Sequence, residues 1–362
     1  MVSPTPEDMA RWRLHHLRLT GAQEPDPAAV VDHLLGVQAE NVAQATWAIG
    51  TRCGADLGAV ERALDDDVVR THVLRPTWHF VRPHDLGWLL DLGRERMLPL
   101  WRRSAEVAGV EVDEVRAAVA VVERVLSAAG DDGGPGHLTR AELAEALARA
   151  GTPLTGMGLG HVLGYAETEG LICGGIRRGD HTYALLEDRA PRRASISREE
   201  ALARIARRYV VGHGPATDRD LAYWATLTLT EARAGLHDAG LDTLEVGGTT
   251  YWCDGEPEPG AFSPRAHLLQ ILDEAYRGFP ESRRVLDREG LLVTGRERAI
   301  GMVLVDGQVV GDMRRTVTEH EVRFELTAWR TWTPEEVVAV ERAAVRYGAF
   351  LGREPVVRLA SR

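Results

Sequence analysis

Residues 138–186 read LTRAELAEALARAGTPLTGMGLGHVLGYAETEGLICGGIRRGDHTYALL, and their pattern is the clearest indication of the fold class of the chain. Its Thr139-Arg-Ala-Glu142 segment is a capping box, which predicts a helix running to about Ala150. A second helix is predicted over Met157–Glu169, and two strand-like segments then flank Arg177-Arg-Gly-Asp180 as a hairpin would. Helix, turn, helix and hairpin, in this order, are typical of a winged helix-turn-helix.

The same order of elements extends from this stretch in both directions. Before this stretch, a helix is predicted over Asp113–Ala129, because Val115, Val119, Val122 and Leu126 share one helical face; it completes a unit over residues 111–190. Residues 191–259 repeat the order, and residues 1–110 are a looser copy. In these two segments we predict helices over Ser197–Val211, Asp218–Ala225, Leu229–Ala239, Pro27–Leu35, Asn41–Thr51 and Gly58–Leu64, a Gly247-Gly248 hairpin, and strands within Val68–Val81.

Residues 260–362 differ, because their apolar residues alternate as in strands. Asp306-Gly307 predicts a tight hairpin turn, and Pro334–Phe350 predicts a closing helix. The predicted strands are Glu289–Val293, Ala299–Val305, Gln308–Arg315 and Glu321–Leu326. The predicted fold class is therefore α+β: three tandem winged helix-turn-helix units (1–110, 111–190 and 191–259) and a small β-rich domain (260–362) with a C-terminal helix.

All 43 basic residues of the 362-residue chain are Arg, and Lys is absent. A Walker-type nucleotide site needs a lysine, so this class of site is excluded. Schiff-base chemistry needs an amine, which excludes pyridoxal-lysine catalysis and a lysine-based abasic-site lyase. Only the N-terminal amine remains for such chemistry.

The charge pattern limits how the chain can bind DNA. The formal net charge is -11, and even the most basic segment, 260–362, has 16 Arg against 15 acidic residues. Winged helices bind duplexes through a helix and a wing, although they also serve as protein–protein modules. DNA binding would therefore need placed Arg residues, and the candidates are Arg177 and Arg178 at a wing tip and Arg314 and Arg315 in a β-hairpin. The alternative for each pair is an ordinary solvated surface.

Further features bear on location and cofactors. No apolar run is long enough to span a membrane, and the N-terminal stretch predicts no signal peptide. Cys53, Cys173 and Cys253 lie far apart, so we expect free thiols, a cytoplasmic protein and no CxxC metal site. His15-His16 lacks partners at metal-ligand spacing, and no metal or other cofactor is expected.

Leu34-Leu-Gly-Val-Gln-Ala-Glu-Asn41 joins two predicted helices and contains a candidate catalytic pair. Within a continuous helix, Gln38 and Glu40 would point about 200° apart, too far to share a ligand. In a short extended connection, residues i and i+2 project to the same side. An amide and a carboxylate that converge can orient and activate a water molecule. The alternative is a helix cap or a solvated turn.

Arg75, Thr77, Trp78 and His79 follow in the strand-rich region of the first unit. They are candidates to support the catalytic pair or to contact DNA, with Trp78 available for stacking. The equally weighted alternative places Trp78 in the core and makes His79 a structural histidine.

The chain resembles the AlkZ/YcaQ-like bacterial DNA glycosylases, also described as winged helix DNA-binding domain-containing proteins. The resemblance covers nearly the whole chain. It rests on LLGVQAENVAQATWAIGTR (34–52), THVLRPTWHFV (71–81), GHGPATDRDLAYWATLT (212–228), LLQILDEAYRGFPESRRVLD (268–287) and VLVDGQVVGDMRR (303–315). It implies three tandem winged helices forming a concave surface, and a β-barrel-like character for the C-terminal domain.

The resemblance also implies hydrolysis of the N-glycosidic bond of alkylated purines, including bulky natural-product adducts or crosslinks in self-resistance enzymes. The family signature is Gln, an apolar residue, then Gln or Asp. Gln38 and Ala39 match it, whereas Glu40 departs from both branches, being nearest to Asp in chemistry. By this resemblance Glu40 would act as base and stabilise the cationic sugar, and Gln38 would orient the water in a monofunctional reaction. Base flipping stays open.

The expected partner is double-stranded DNA that carries an alkylated purine, bound by a monomer associated with the nucleoid in the cytoplasm. Two other functions remain compatible with the residues. One is a non-catalytic winged-helix transcriptional regulator, and the other is a protein-interaction scaffold with no DNA role.

Overall fold

A computed structural model describes residues 4–131, 136–190, 195–255, 265–291 and 301–361. The helices are α1 (Pro6–His16), α2 (Pro27–His33), α3 (Val42–Cys53), α4 (Leu57–Asp66), α5 (Pro83–Val107), α6 (Val112–Asp131), α7 (Arg140–Arg149), α8 (Gly156–Thr168), α9 (Leu186–Arg189), α10 (Arg198–His213), α11 (Asp218–Trp224), α12 (Leu229–Asp238), α13 (Glu274–Arg277) and α14 (Pro334–Leu351). The strands are β1 (Val37–Gln38), β2 (Val69–Arg75), β3 (Thr77–Val81), β4 (Leu138–Thr139), β5 (Ile172–Gly174), β6 (Thr182–Leu185), β7 (Asp242–Val246), β8 (Thr249–Cys253), β9 (Ala266–Leu269), β10 (Gly301–Val305), β11 (Gln308–Val317), β12 (Glu321–Ala328) and β13 (Glu354–Ser361). No helix among these is both long and apolar enough to cross a membrane.

The chain divides into two units that interleave in sequence. Unit 1 consists of Met1–Glu61, Ala203–Trp224 and Leu229–Arg362, and unit 2 consists of Arg62–Leu202 and Ala225–Thr228. Both are mixtures of helices and short sheets, so the α+β class is confirmed.

In unit 2, the elements predicted from residues 138–186 are present almost residue for residue. Thr139 accepts a hydrogen bond from the Glu142 N–H at 3.2 Å, and the Glu142 carboxylate accepts one from the Thr139 N–H at 2.6 Å, so the capping box is confirmed. β4, β6 and β5 form a three-stranded sheet in that order. Its helices enclose a core that includes Val115, Val119 and Leu126, the predicted apolar face of α6.

Four helices were not predicted from the sequence: the four-residue helices α9 and α13, and the longer helices α1 and α5. α1 is fixed by its own capping box between Thr5 and Asp8, although its first residues carry the prolines and acids of the N-terminal stretch. α5 is 25 residues long, contains Pro99 and places charged residues among its apolar ones, which obscures the helical period.

In unit 1, the C-terminal segment forms a five-stranded sheet of order β13-β12-β11-β10-β9. The Asp306-Gly307 hairpin is confirmed, with positive φ angles of 48° and 80° as this turn requires. β13 pairs with β12 in parallel, and neither β13 nor β9 was predicted. The prediction of a strand over Glu289–Val293 is wrong where it can be judged, since residues 289–291 form a turn and an irregular end; the remainder lies outside the described residues.

α3 packs against the sheet domain of unit 1 through aromatic side chains. Trp47 stacks on Tyr347 of α14 with ring centroids 4.0 Å apart, and its Nε1–H donates to the Leu268 carbonyl at 2.7 Å. A Cβ on Gly50 would lie 2.5 Å from the Phe350 ring, so α3 approaches α14 too closely for a larger residue. These contacts fix the helix that follows Gln38 and Glu40.

His16 supplies a pH-dependent element of stability at the end of α1. It is 9 % exposed, and burial lowers the pKa of its imidazole from 6.5 to about 4. The unfolded chain therefore takes up this proton first as the pH falls, which favours unfolding between the two pKa values.

We expect His16→Asn, which cannot titrate, to lose less stability than the wild type on acidification. The difference between the two free energies of unfolding should change by about 3 kcal/mol between roughly pH 7 and pH 4. Urea unfolding of both proteins at several pH values measures it. Parallel pH profiles would contradict the assignment.

Candidate active site

The connection between α2 and α3 presents Gln38 and Glu40 on non-helical backbone. Leu35 adopts a positive φ of 61° just after α2, which turns the chain away from the helix. Gln38 then lies in the short strand β1, and Asn41 begins α3 by accepting a hydrogen bond from the Gln44 N–H at 3.1 Å. The predicted break between two helices at Gln38 is therefore present.

The three motif residues differ sharply in exposure. Gln38 is 7 % exposed and Ala39 is wholly buried, whereas Glu40 is exposed. The buried middle residue anchors the segment, and the carboxylate of Glu40 lies where a substrate in solvent can reach it. A carboxylate that accepts protons and an amide that both donates and accepts hydrogen bonds are groups that can handle a water molecule.

A buried carboxylate lies behind the motif. Glu274, at the start of α13, is 1 % exposed, and its Oε1 accepts a hydrogen bond from the Gln38 N–H at 3.2 Å. Its Oε2 accepts one from Trp224 Nε1–H at 2.9 Å and lies 3.2 Å from His213 Nε2. No role is predicted for Glu274, Trp224 or His213 from the sequence, although they lie in the 212–228 and 268–287 stretches.

His213 completes this buried group. Its Nδ1 lies 3.1 Å from the Tyr209 carbonyl oxygen, and its Nε2 faces the Glu274 carboxylate. The ring stacks on Tyr209 at 4.8 Å, which holds it in this orientation.

A second buried pair fixes the helix that follows the motif. Arg52 of α3 and Asp273 are 0 % and 1 % exposed in their side chains, and the guanidinium makes two hydrogen bonds to the carboxylate, at 2.9 and 2.7 Å. Arg52 also donates to the Leu17 and Ala48 carbonyls. Asp273 in turn caps α13 by accepting a hydrogen bond from the Ala275 N–H at 2.8 Å.

The predicted supporting residues lie on the β2–β3 hairpin of unit 2. His79 is wholly buried; its Nδ1–H donates to the Thr77 carbonyl at 2.9 Å, and its Nε2 lies 3.1 Å from Arg75 Nη2. Trp78 is half-buried, with the Arg70 guanidinium 4.1 Å from its ring centroid. The geometry of His79 thus agrees with a structural histidine, and Trp78 is the more accessible of the two rings.

The predicted wing arginines of unit 2 already lie beside acidic residues. The Arg177 N–H donates to Asp65 at 3.3 Å, and Arg178 Nη2 donates to Glu142 at 2.8 Å. A phosphate would have to compete with these carboxylates.

The predicted hairpin arginines lie on β11 in unit 1. Arg314 is exposed and stands opposite Glu325 of β12. The Arg315 guanidinium lies 5.2 Å from the Tyr347 ring centroid, above the core of the sheet domain. Of this pair, Arg314 is the better placed to meet a phosphate.

Within the described residues of either unit, no three His, Cys, Asp or Glu side chains converge as metal ligands do. Cys53, Cys173 and Cys253 are free thiols.

Comparison with known proteins defines the class to which this site belongs. The model of the family described as DNA glycosylase AlkZ-like matches residues 31–350, a range that includes Gln38, Glu40 and Glu274. The protein is therefore a DNA glycosylase, an enzyme of DNA repair that acts on DNA. More particularly, the chain belongs to the AlkZ-like DNA glycosylase family.

A solved structure supports the fold. The Streptomyces sahachiroi DNA glycosylase AlkZ superimposes with a TM-score of 0.78 at 24% sequence identity, over 99% of this chain and 100% of that one. At this identity the likeness establishes the fold. No curated protein matches the chain.

Proposed function

We propose that this DNA glycosylase hydrolyses the N-glycosidic bond of alkylated purines, with Gln38 and Glu40 as its catalytic pair. The observation that carries the proposal is the extended backbone at Gln38, followed two residues later by the exposed Glu40. Glu40 lies in the bend just before α3, so Gln38 and Glu40 do not share a helix that would turn them about 200° apart, and their amide and carboxylate can act on one water molecule.

The chemistry requires little more than this pair. An N7-alkylated guanine is cationic, so it leaves with the electrons of the C1′–N9 bond as a neutral base. Water forms the new bond to C1′, and Glu40 accepts its proton while its negative charge stabilises the oxocarbenium-like sugar. Gln38 orients the water through its amide. The absence of Lys from the chain agrees with a monofunctional, water-dependent reaction.

The rest of the chain serves binding in this proposal. Residues 1–110, 111–190 and 191–259 act as three winged-helix units on duplex DNA, and residues 260–362 act as a barrel-like domain. Arg177, Arg178, Arg314 and Arg315 contact phosphates, and the hairpin with Arg75, Thr77, Trp78 and His79 contacts DNA, with Trp78 available for stacking. The protein works as a monomer in the cytoplasm, at the nucleoid.

Base release provides the test. Purified protein is incubated with duplexes that carry N7-methylguanine or a bulky N7 adduct, and the free base is quantified. We expect release from an alkylated duplex, none from the unmodified duplex, and its loss in Gln38→Ala with DNA affinity retained. Tight binding of an unmodified sequence without release from any alkylated duplex would instead favour a transcriptional regulator. Absence of salt-dependent DNA binding would favour a protein scaffold.

A further inference from the structure

We infer that Glu274 is a positioning residue, which holds the backbone of Gln38 in the position that the reaction needs. The inference rests on the proposed function of Gln38 and Glu40. It starts from the 3.2 Å hydrogen bond between the Gln38 N–H and Glu274 Oε1, across 236 residues of sequence.

Glu274 is itself held on several sides. Trp224 Nε1–H donates to its other oxygen, and His213 Nε2 lies within hydrogen-bond distance of the same oxygen. Trp224 and His213 are both 0 % exposed. Asp273 caps the helix α13 that begins with Glu274. A side chain held in this way offers the Gln38 N–H an acceptor oxygen in a fixed position.

The position of Gln38 also sets that of Glu40. β1 is two residues long, and Ala39, which separates Gln38 from Glu40 in sequence, is wholly buried. A shift of the backbone at Gln38 therefore displaces amide and carboxylate together from the shared water. A misplacement of about 1 Å in a catalytic group can cost on the order of 100-fold in rate.

Glu274→Gln tests the inference without changing side-chain volume. The amide has one accepting oxygen, whereas Trp224 and the Gln38 N–H both donate to the carboxylate. The Trp224 bond is the shorter, at 2.9 Å, and its ring is wholly buried, so we expect the amide oxygen to turn towards Trp224. The –NH2 group then faces the Gln38 N–H and displaces the strand.

The measurement is single-turnover base release with saturating enzyme, together with DNA affinity. We expect E274Q to lower the rate by about 10- to 100-fold and to leave the dissociation constant for DNA unchanged. Asp220→Asn is the matched control: Asp220 is also fully buried, but it accepts hydrogen bonds from Thr217, Glu281 and Ser282 instead of the motif. It should lower the melting temperature and keep the rate.

A double variant separates positioning from general damage. Trp224→Phe removes the indole N–H, so in E274Q/W224F the amide oxygen can return to the Gln38 N–H and the –NH2 can donate to His213 Nε2. We expect the double variant to release base faster than E274Q does, although the loss of the indole lowers its melting temperature further. A rate that follows the melting temperature in all these variants would overturn the inference.

The same assay separates this inference from the function on which it rests. If Gln38→Ala abolishes release while folded E274Q keeps the wild-type rate, Glu274 does not position the motif. If Gln38→Ala keeps the wild-type rate, the proposed catalytic pair is wrong, and the role inferred for Glu274 is wrong with it.

Discussion

Glu40→Gln is expected to slow base release by roughly 100- to 10,000-fold, the range that a general base contributes. The amide preserves the size of the side chain but can neither accept a proton with useful affinity nor oppose the positive charge on the sugar. Because Glu40 is exposed and contributes no buried packing, the variant should fold as the wild type does. Single-turnover release from an N7-alkylguanine duplex measures the effect.

Two variants control this experiment. Glu40→Asp keeps the carboxylate one methylene shorter and should retain more activity than Glu40→Gln. Glu341→Gln removes another exposed carboxylate, on α14, and should leave the rate unchanged. Equal rates for Glu40→Gln and the wild type would show that another group handles the water.

The sequence predicts those parts of the fold whose signals are local. The capping box at Thr139 and Glu142, the Asp306-Gly307 turn and the apolar face of α6 each depend on residues within a few positions of one another. α5 and β13 could not be predicted from the sequence, for opposite reasons. α5 mixes charges and a proline into its helical period, and β13 is a strand because β12 lies in parallel beside it.

The candidate site likewise has one part that local sequence predicts and one part that it does not. The motif at Gln38 and Glu40 can be found because a helix stop and a helix start enclose it within eight residues, 34–41. Glu274 cannot be found from local pattern, since its neighbours Gln38, His213 and Trp224 come from distant segments. The segments that contain these residues all belong to the stretches on which the family resemblance rests. That was the available indication, and it does not say which side chains interact.

The Arg52–Asp273 pair, likewise invisible in local pattern, leads to the largest expected effect on stability. Asp273→Ala should lower the free energy of unfolding by about 3–5 kcal/mol, because it leaves the guanidinium buried without its counter-ion. Equilibrium unfolding in urea measures the loss. Asp218→Ala is the control, since its 2.7 Å pair with Arg233 is 61% exposed on the arginine side and should contribute less than about 1 kcal/mol.

A double variant distinguishes the cost of an orphaned charge from the value of the pair. Arg52→Met together with Asp273→Leu removes both charges, and buried ion pairs replaced in this way are often neutral in stability. We therefore expect the double variant to recover much of the loss seen in Asp273→Ala. A double variant less stable than Asp273→Ala would mean that the Arg52 bonds to the Leu17 and Ala48 carbonyls, at 2.8 and 2.6 Å, outweigh the ion pair in holding α3. In that case the helix that follows Glu40 is anchored chiefly through its own backbone and the Leu17 segment, and Asp273 acts chiefly by capping the helix that carries Glu274.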